Sequence, residues 1–172
     1  VVVSLIQRGI RILKEEGPFK LVTKTEKKFI SPMYWAVRRS YTLSIQHITV
    51  QFSAPNRKVV RRTKRRFESE KDELVELMDE LEKNDIFYDI GANTGLYTLF
   101  ASKRCTEGTV IAFEPYPPNV AMLKRDISRN GVDNVDVYEL ALSDSEGMMS
   151  FSQPEQPDVG YGSSSVEADP SE

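Results

Sequence analysis

The chain has 172 residues, of which 40% are hydrophobic and 28% charged, with 23 Lys+Arg against 26 Asp+Glu for a formal net charge of −3. That composition belongs to a globular protein and excludes fibrous and wholly disordered classes. The longest apolar run, Val1–Ile6, is already broken by Ser4, far short of the roughly 20 residues of a membrane span.

Val1 to Glu16 sets Val2, Leu5, Ile6, Ile12 and Leu13 among Arg8, Arg11 and Lys14, and Gly17-Pro18 ends the run. The pattern predicts a basic amphipathic helix. Basic residues that follow an apolar stretch are the reverse of an export signal, so a cytoplasmic location is expected. Tyr41 to Phe52 alternates with a slip at Gln46-His47, which predicts two short strands or one bulged strand. Seven basic groups crowd Arg57–Arg66 and read as a solvated face. Residues 1–66 hold 16 basic and three acidic groups, net +13, leaving −16 for residues 67–172. This split leads to the expectation of peripheral attachment to an anionic membrane through the basic N-terminal part; no nucleic-acid partner is expected.

Ser69-Glu70-Lys71-Asp72 has capping-box spacing, and Leu74, Val75, Leu77, Met78 and Leu81 share one helical face, predicting a helix from Ser69 to a stop near Asn84. A βαβαβ rhythm follows: strand Ile86–Ile90, helix Thr94 to Arg104, strand Thr109–Phe113, helix Pro118 to Asn130 and strand Val135–Leu142. Such alternation implies an α/β fold, half of a doubly wound parallel sheet. From Ser152 onward the chain is Ser, Pro, Gly and acid, expected to be loop or disordered. The expected organisation is a basic appendage over residues 1–67, a half-domain over 68–151 and a tail over 152–172.

Ligands of such sheets sit beyond the C-terminal strand ends. There the chain has the loop Asp89-Ile90-Gly91-Ala92-Asn93-Thr94-Gly95, Glu114 at the end of the second strand, and Ala141 to Asp144 after the third. Glycines at a strand-to-helix junction allow close approach of backbone to a ligand. Glu114, 23 positions after Gly91, can accept hydrogen bonds from two ribose hydroxyls. An adenosine-type ligand fits both. Asn93 stands where a dinucleotide fingerprint needs glycine, Asp89 would face a pyrophosphate, and no Gly-Lys-Ser/Thr is present, which disfavours NAD, FAD and P-loop nucleotides. S-adenosylmethionine carries positive sulfonium and ammonium groups and no phosphate, so Asp89 suits its methionine end. Cys105, His47, Tyr97 and Phe100 are read as structural, and with one cysteine and one histidine no metal site is expected.

Asp89 to Thr98, Phe113 to Asn119 and Ala141 to Gly147 resemble three successive motifs of FkbM-type S-adenosylmethionine-dependent methyltransferases. The resemblance covers roughly Glu68 to Phe151. It implies a class I methyltransferase fold and methyl transfer to a hydroxyl of a sugar, glycan or other small metabolite. It also implies site roles: Asp89, Gly91 and Gly95 at the methionine end, Asn93 shaping the loop, Glu114 on the ribose, Pro115 on one adenine face, and Ala141 and Leu142 on the other. The Asp-x-Glu-Gly motif with which the family continues does not occur before Glu172, so the chain reads as an N-terminal fragment, inactive alone and without an assigned catalytic residue. The alternative is a non-catalytic cofactor-binding remnant or interaction module with a basic docking surface.

Overall fold

A computed structural model of the chain describes residues 40–144, 150–151, 159–160 and 166–167. The helix expected at Val1–Glu16 lies outside them. The chain divides into two compact units, Val1–Arg39 and Ser40–Glu172, and all described residues belong to the second.

Strands β1 (Ser40–Ile45) and β2 (Ile48–Ser53) form an antiparallel hairpin about Gln46-His47. The phase slip is therefore a two-residue turn, with Gln46 at a positive φ of 50°. The register pairs Tyr41 with Phe52, Leu43 with Val50 and Ile45 with Ile48, and all six side chains are buried on one face. Thr42, Ser44, Thr49 and Gln51 take the exposed face, as period-two alternation requires.

Helices α1 (Arg57–Ser69) and α2 (Lys71–Glu80) follow. The basic run is thus helical, capped by Asn56, whose side chain accepts the Val59 N–H at 3.0 Å, and anchored by buried Val59, Val60, Thr63 and Phe67. The capping box expected at Ser69 does not form. Ser69 ends α1 and its hydroxyl donates to the Arg66 carbonyl at 2.9 Å, because the helical periodicity of Val59, Val60, Thr63 and Phe67 carries α1 through that position. Glu70 becomes the junction residue and receives Arg66 Nε at 2.9 Å.

The expected βαβαβ unit is present: β3 (Ile86–Ile90), α3 (Leu96–Arg104), β4 (Thr109–Phe113), α4 (Pro117–Asn130) and β5 (Val135–Tyr138). The strands are parallel in the order β3-β4-β5, which makes the fold α/β and the sheet half of a doubly wound one. Beyond β5, one short antiparallel pairing joins β6 (Ser150–Phe151), at the end of the expected half-domain, to β7 (Val166–Glu167), within the expected tail.

The hairpin, expected in an appendage ending near residue 67, packs instead on α3 and α4. Its apolar face needs cover, and these helices provide it. The result is three layers, sheet, helix pair and hairpin. Two side chains one helical turn apart on α4 complete the exposed backbone edge of β2. Asn130 Oδ1 accepts the Gln51 N–H at 2.8 Å while its Nδ2 donates to the Gln51 carbonyl at 2.7 Å. Asp126, fully buried, accepts the Ser53 N–H at 2.9 Å and the Ser53 hydroxyl. Helix side chains thereby close a strand edge that would otherwise be open to pairing.

The sheet is covered on one face. Asp89, Val110 and Ala112 are buried beneath the helices, with Ala92, Ala112 and Leu123 clustered there. On the opposite face Ile86, Tyr88 and Ile90 are 62%, 58% and 66% exposed. The rings of Tyr88, Phe113 and Tyr138 stack across β3, β4 and β5 at centroid spacings of 6.5 and 5.4 Å. Among the described residues nothing covers this apolar face, and β3 has one neighbouring strand. No helix among them is long and apolar enough to cross a membrane.

Candidate functional site: the glycine loop and Glu114

The loop between β3 and α3 takes its shape from three positive φ angles, 79° at Gly91, 55° at Asn93 and 85° at Gly95. Gly95 is required twice over, since a Cβ there would meet Leu123 Cδ1 at 2.3 Å. At Gly91 a Cβ would meet nothing within 4 Å, so open space lies beside backbone that only glycine adopts freely. Asn93 occupies a left-handed backbone region at the position of the dinucleotide fingerprint's absent second glycine, and its Oδ1 accepts the Thr94 N–H at 2.8 Å. Asparagine is the residue best suited to that exchange.

Two consecutive loop N–H groups, of Gly91 and Ala92, donate to the Phe113 carbonyl at 2.9 and 3.0 Å. The next, of Asn93, donates to Glu114 Oε2 at 2.7 Å. Glu114 is 5% exposed, and its Oε1 accepts the Tyr116 N–H at 2.9 Å and Asn119 Nδ2 at 3.3 Å. Three protein donors therefore use three of the roughly four acceptor positions of a carboxylate, leaving one on Oε2. A two-hydroxyl grip on a ribose requires the longest of these bonds, from Asn119, to yield. Asn119 is itself tethered, since its Oδ1 accepts the Gly160 N–H at 2.7 Å.

Asp89 is 8% exposed at the end of β3, and its carboxylate accepts the hydroxyl of Thr98 on α3. Burial pushes its pKa above the ordinary 3.8, while the Thr98 bonds and the Arg66 charge oppose the rise and the charge of Glu114 adds to it. Thr98 was not singled out by the sequence. Its position nine residues after Asp89, within the first two turns of the next helix, is the signal that could have found it. Arg66 also lies 5.7 Å over the Tyr97 ring, and Phe67 stacks on Phe100 at 6.1 Å, so α1 flanks α3 beside the loop.

The structure thus brings Asn93 and Glu114 into direct contact and places Asp89 on the same rim. Pro115 is half-buried beside Glu114, while Ala141 and Leu142, past the end of β5, are exposed. Cys105 is buried at the end of α3, where burial raises its pKa, and His47 lies in the hairpin turn, both apart from the loop. Two carboxylates flanking the glycine turn suit a ligand with positive charge and hydroxyls better than one with phosphates.

No family model matches the chain. It is 39% identical over 69 residues to the 31-O-demethyl-FK506 methyltransferase FkbM of Streptomyces tacrolimicus, a match covering 40% of this chain and 26% of that protein. It is 35% identical over 66 residues to the AMB antimetabolite synthetase AmbE of Pseudomonas aeruginosa, covering 38% of this chain and 3% of that protein. A solved structure, P. horikoshii TYW2 in complex with MeSAdo, matches 82% of this chain and 66% of its own at 16% identity and a TM-score of 0.44. The matched stretches span about a quarter of the length of the first relative and a small part of the second. Over some two fifths of its length the chain is therefore similar in sequence to known proteins that include an FkbM methyltransferase, the family its three motifs resemble.

Proposed function

We propose that this chain supplies the S-adenosylmethionine-binding half of a cytoplasmic, FkbM-type O-methyltransferase that acts on a hydroxyl of a sugar, glycan or other small metabolite. The observation that carries the reading is the pairing of Asn93 N–H with Glu114 Oε2 at 2.7 Å. It fixes an acidic acceptor against a glycine turn that has open space at Gly91.

The residues fit that group. Glu114 would take the ribose, Gly91 would let the backbone approach, Asp89 would favour the positively charged methionine end, and Pro115 with Ala141 and Leu142 would flank the adenine. When bound, S-adenosylmethionine supplies an electrophilic methyl group. The chain's own part is to bind and orient, and positioning alone can supply roughly 7–11 kcal/mol of a transfer barrier.

The test is calorimetry of the chain, alone and within any longer parent protein, with S-adenosylhomocysteine and NAD, followed by labelled methyl donor in extract fractions. The reading expects S-adenosylhomocysteine to bind in preference to NAD and label to enter a glycan or small metabolite. Preference for NAD overturns the cofactor assignment. Label confined to protein or nucleic acid overturns the substrate class.

A further inference from the structure

Helix α1 breaks the rules that stabilise helices. Its first turn has no acid, and Arg57 and Lys58 stand there instead, opposed to the positive end of the helix dipole. Arg57, Arg61 and Arg65 are spaced i, i+4, i+8, and Lys58 and Lys64 lie three positions either side of Arg61, so like charges face one another along the whole helix. At 100° per residue, these five exposed cations fall within an arc of about 120° and a length of about 12 Å. Val59, Val60, Thr63 and Phe67 are buried on the other side.

The protein neutralises little of this charge. Among the described residues Arg57, Lys58, Arg61 and Arg65 have no ion-pair partner, and Lys64 Nζ lies 5.7 Å over the Tyr41 ring. The other two basic side chains of α1 turn inward, Arg62 to the Val159 carbonyl at 2.7 Å and Arg66 to Glu70 at 2.9 Å. One acid, Glu68, shares the arc at its C-terminal end. A repulsive stripe that the fold neither needs nor offsets marks a surface kept for something outside it.

We infer that this stripe docks the protein on an anionic lipid bilayer. The arc carries no aromatic side chain on which successive bases could stack and no amide to read adenine. It is a convex, straight row of charges, which a flat anionic surface meets all at once. The charge split orients the molecule, because residues 67–172 carry a net −16 and are repelled from the surface that attracts α1. The glycine loop lies beside α1 through Arg66 and Tyr97, on the side of the helix turned from the stripe, so docking would keep α1 between the bilayer and the site.

The experiment is flotation of the full chain with vesicles of phosphatidylcholine alone and of phosphatidylcholine mixed with phosphatidylglycerol. Binding is expected to the anionic vesicles only and to be lost in high salt. Arg57→Gln/Arg61→Gln/Arg65→Gln removes three exposed cations without touching the core and should weaken binding roughly a hundredfold. The control Lys71→Gln/Lys83→Gln/Lys124→Gln changes net charge equally at exposed positions elsewhere and should bind as wild type, with both variants unfolding like wild type. No flotation of the wild type, equal flotation of the α1 variant, or equal loss in the control overturns the inference. So does tighter binding of an RNA or DNA oligonucleotide than of vesicles at matched phosphate concentration.

Discussion

The buried carboxylate of Asp126 receives both the backbone N–H and the hydroxyl of Ser53, a residue 73 positions earlier in the chain. Together with the Asn130–Gln51 pair, this contact fastens the hairpin to the helix layer. Asp126→Ala leaves the Ser53 donors buried without a partner and should cost about 1–3 kcal/mol. Urea unfolding is the measurement, and Asn130→Ala, whose partners on Gln51 are exposed, should cost less.

Asp89 and Asp126 make acid stability depart from the usual pattern. Burial is the largest influence on both and raises each above the ordinary 3.8. In the window from 3.8 up to the raised folded values the folded chain binds protons that the unfolded chain has released, so their contribution to stability falls as pH rises. Above the folded values that loss is complete. Lowering pH from about 7 toward about 4 should therefore favour wild type relative to Asp89→Asn/Asp126→Asn. Unfolding midpoints of the two proteins measured across that range, with no convergence or divergence in this direction, would contradict the assignment.

Gly91 and Gly95 should respond differently to the same substitution. Gly95→Ala meets Leu123 Cδ1 at 2.3 Å in a left-handed backbone and should lose about 2–4 kcal/mol from overpacking and strain combined. Gly91→Ala has the strain without the collision and should lose about 1–2 kcal/mol. Thermal unfolding separates them, and S-adenosylhomocysteine affinity should fall for Gly91→Ala by more than its stability loss suggests.

Much of this was legible in the sequence. The limits of β3 and β4 follow from strand periodicity, and Pro117-Pro118 and Gly131 bracket α4 as their backbone preferences dictate. The helical state of Arg57–Ser69 was not legible, because charge dominates its composition and its four buried residues become a pattern only once Phe67 is counted with Val59, Val60 and Thr63. Nor was the place of the hairpin. Asp126 and Asn130 look like ordinary polar helix residues until β2 lies against them, and contacts across 73 and 79 positions leave no local trace. At the site, the glycine loop and Glu114 were readable from residue types at fixed spacing. Their direct bond was not, because it depends on the left-handed turn at Asn93.

Glu114 is a structural residue as well as a candidate ligand. Glu114→Ala removes an acceptor that the Asn93 and Tyr116 N–H groups and the Asn119 amide share, so the ligand-free chain should lose about 1–3 kcal/mol. Binding to S-adenosylhomocysteine should fall as well. Unchanged unfolding in urea would show that these donors find other partners.

The uncovered sheet face should govern solution behaviour. Tyr88 and Ile90 are 58% and 66% exposed on a strand with a free edge among the described residues, a template for association. Tyr88→Lys/Ile90→Lys should lower concentration-dependent light scattering while changing the unfolding midpoint little. Equal scattering by both proteins would place the sticky surface elsewhere.

The Gly91, Ala92 and Asn93 N–H groups all terminate on Phe113 and Glu114, so the loop has its shape only while β3 and β4 are paired. Occupancy and folding then become a single linked equilibrium. A ligand that recognises the shaped loop binds the folded chain alone, and at a hundred times its dissociation constant it would add about 2.7 kcal/mol to the stability of the sheet. Such a ligand would act as a clasp between two strands, and its depletion would loosen the sheet that forms its own site.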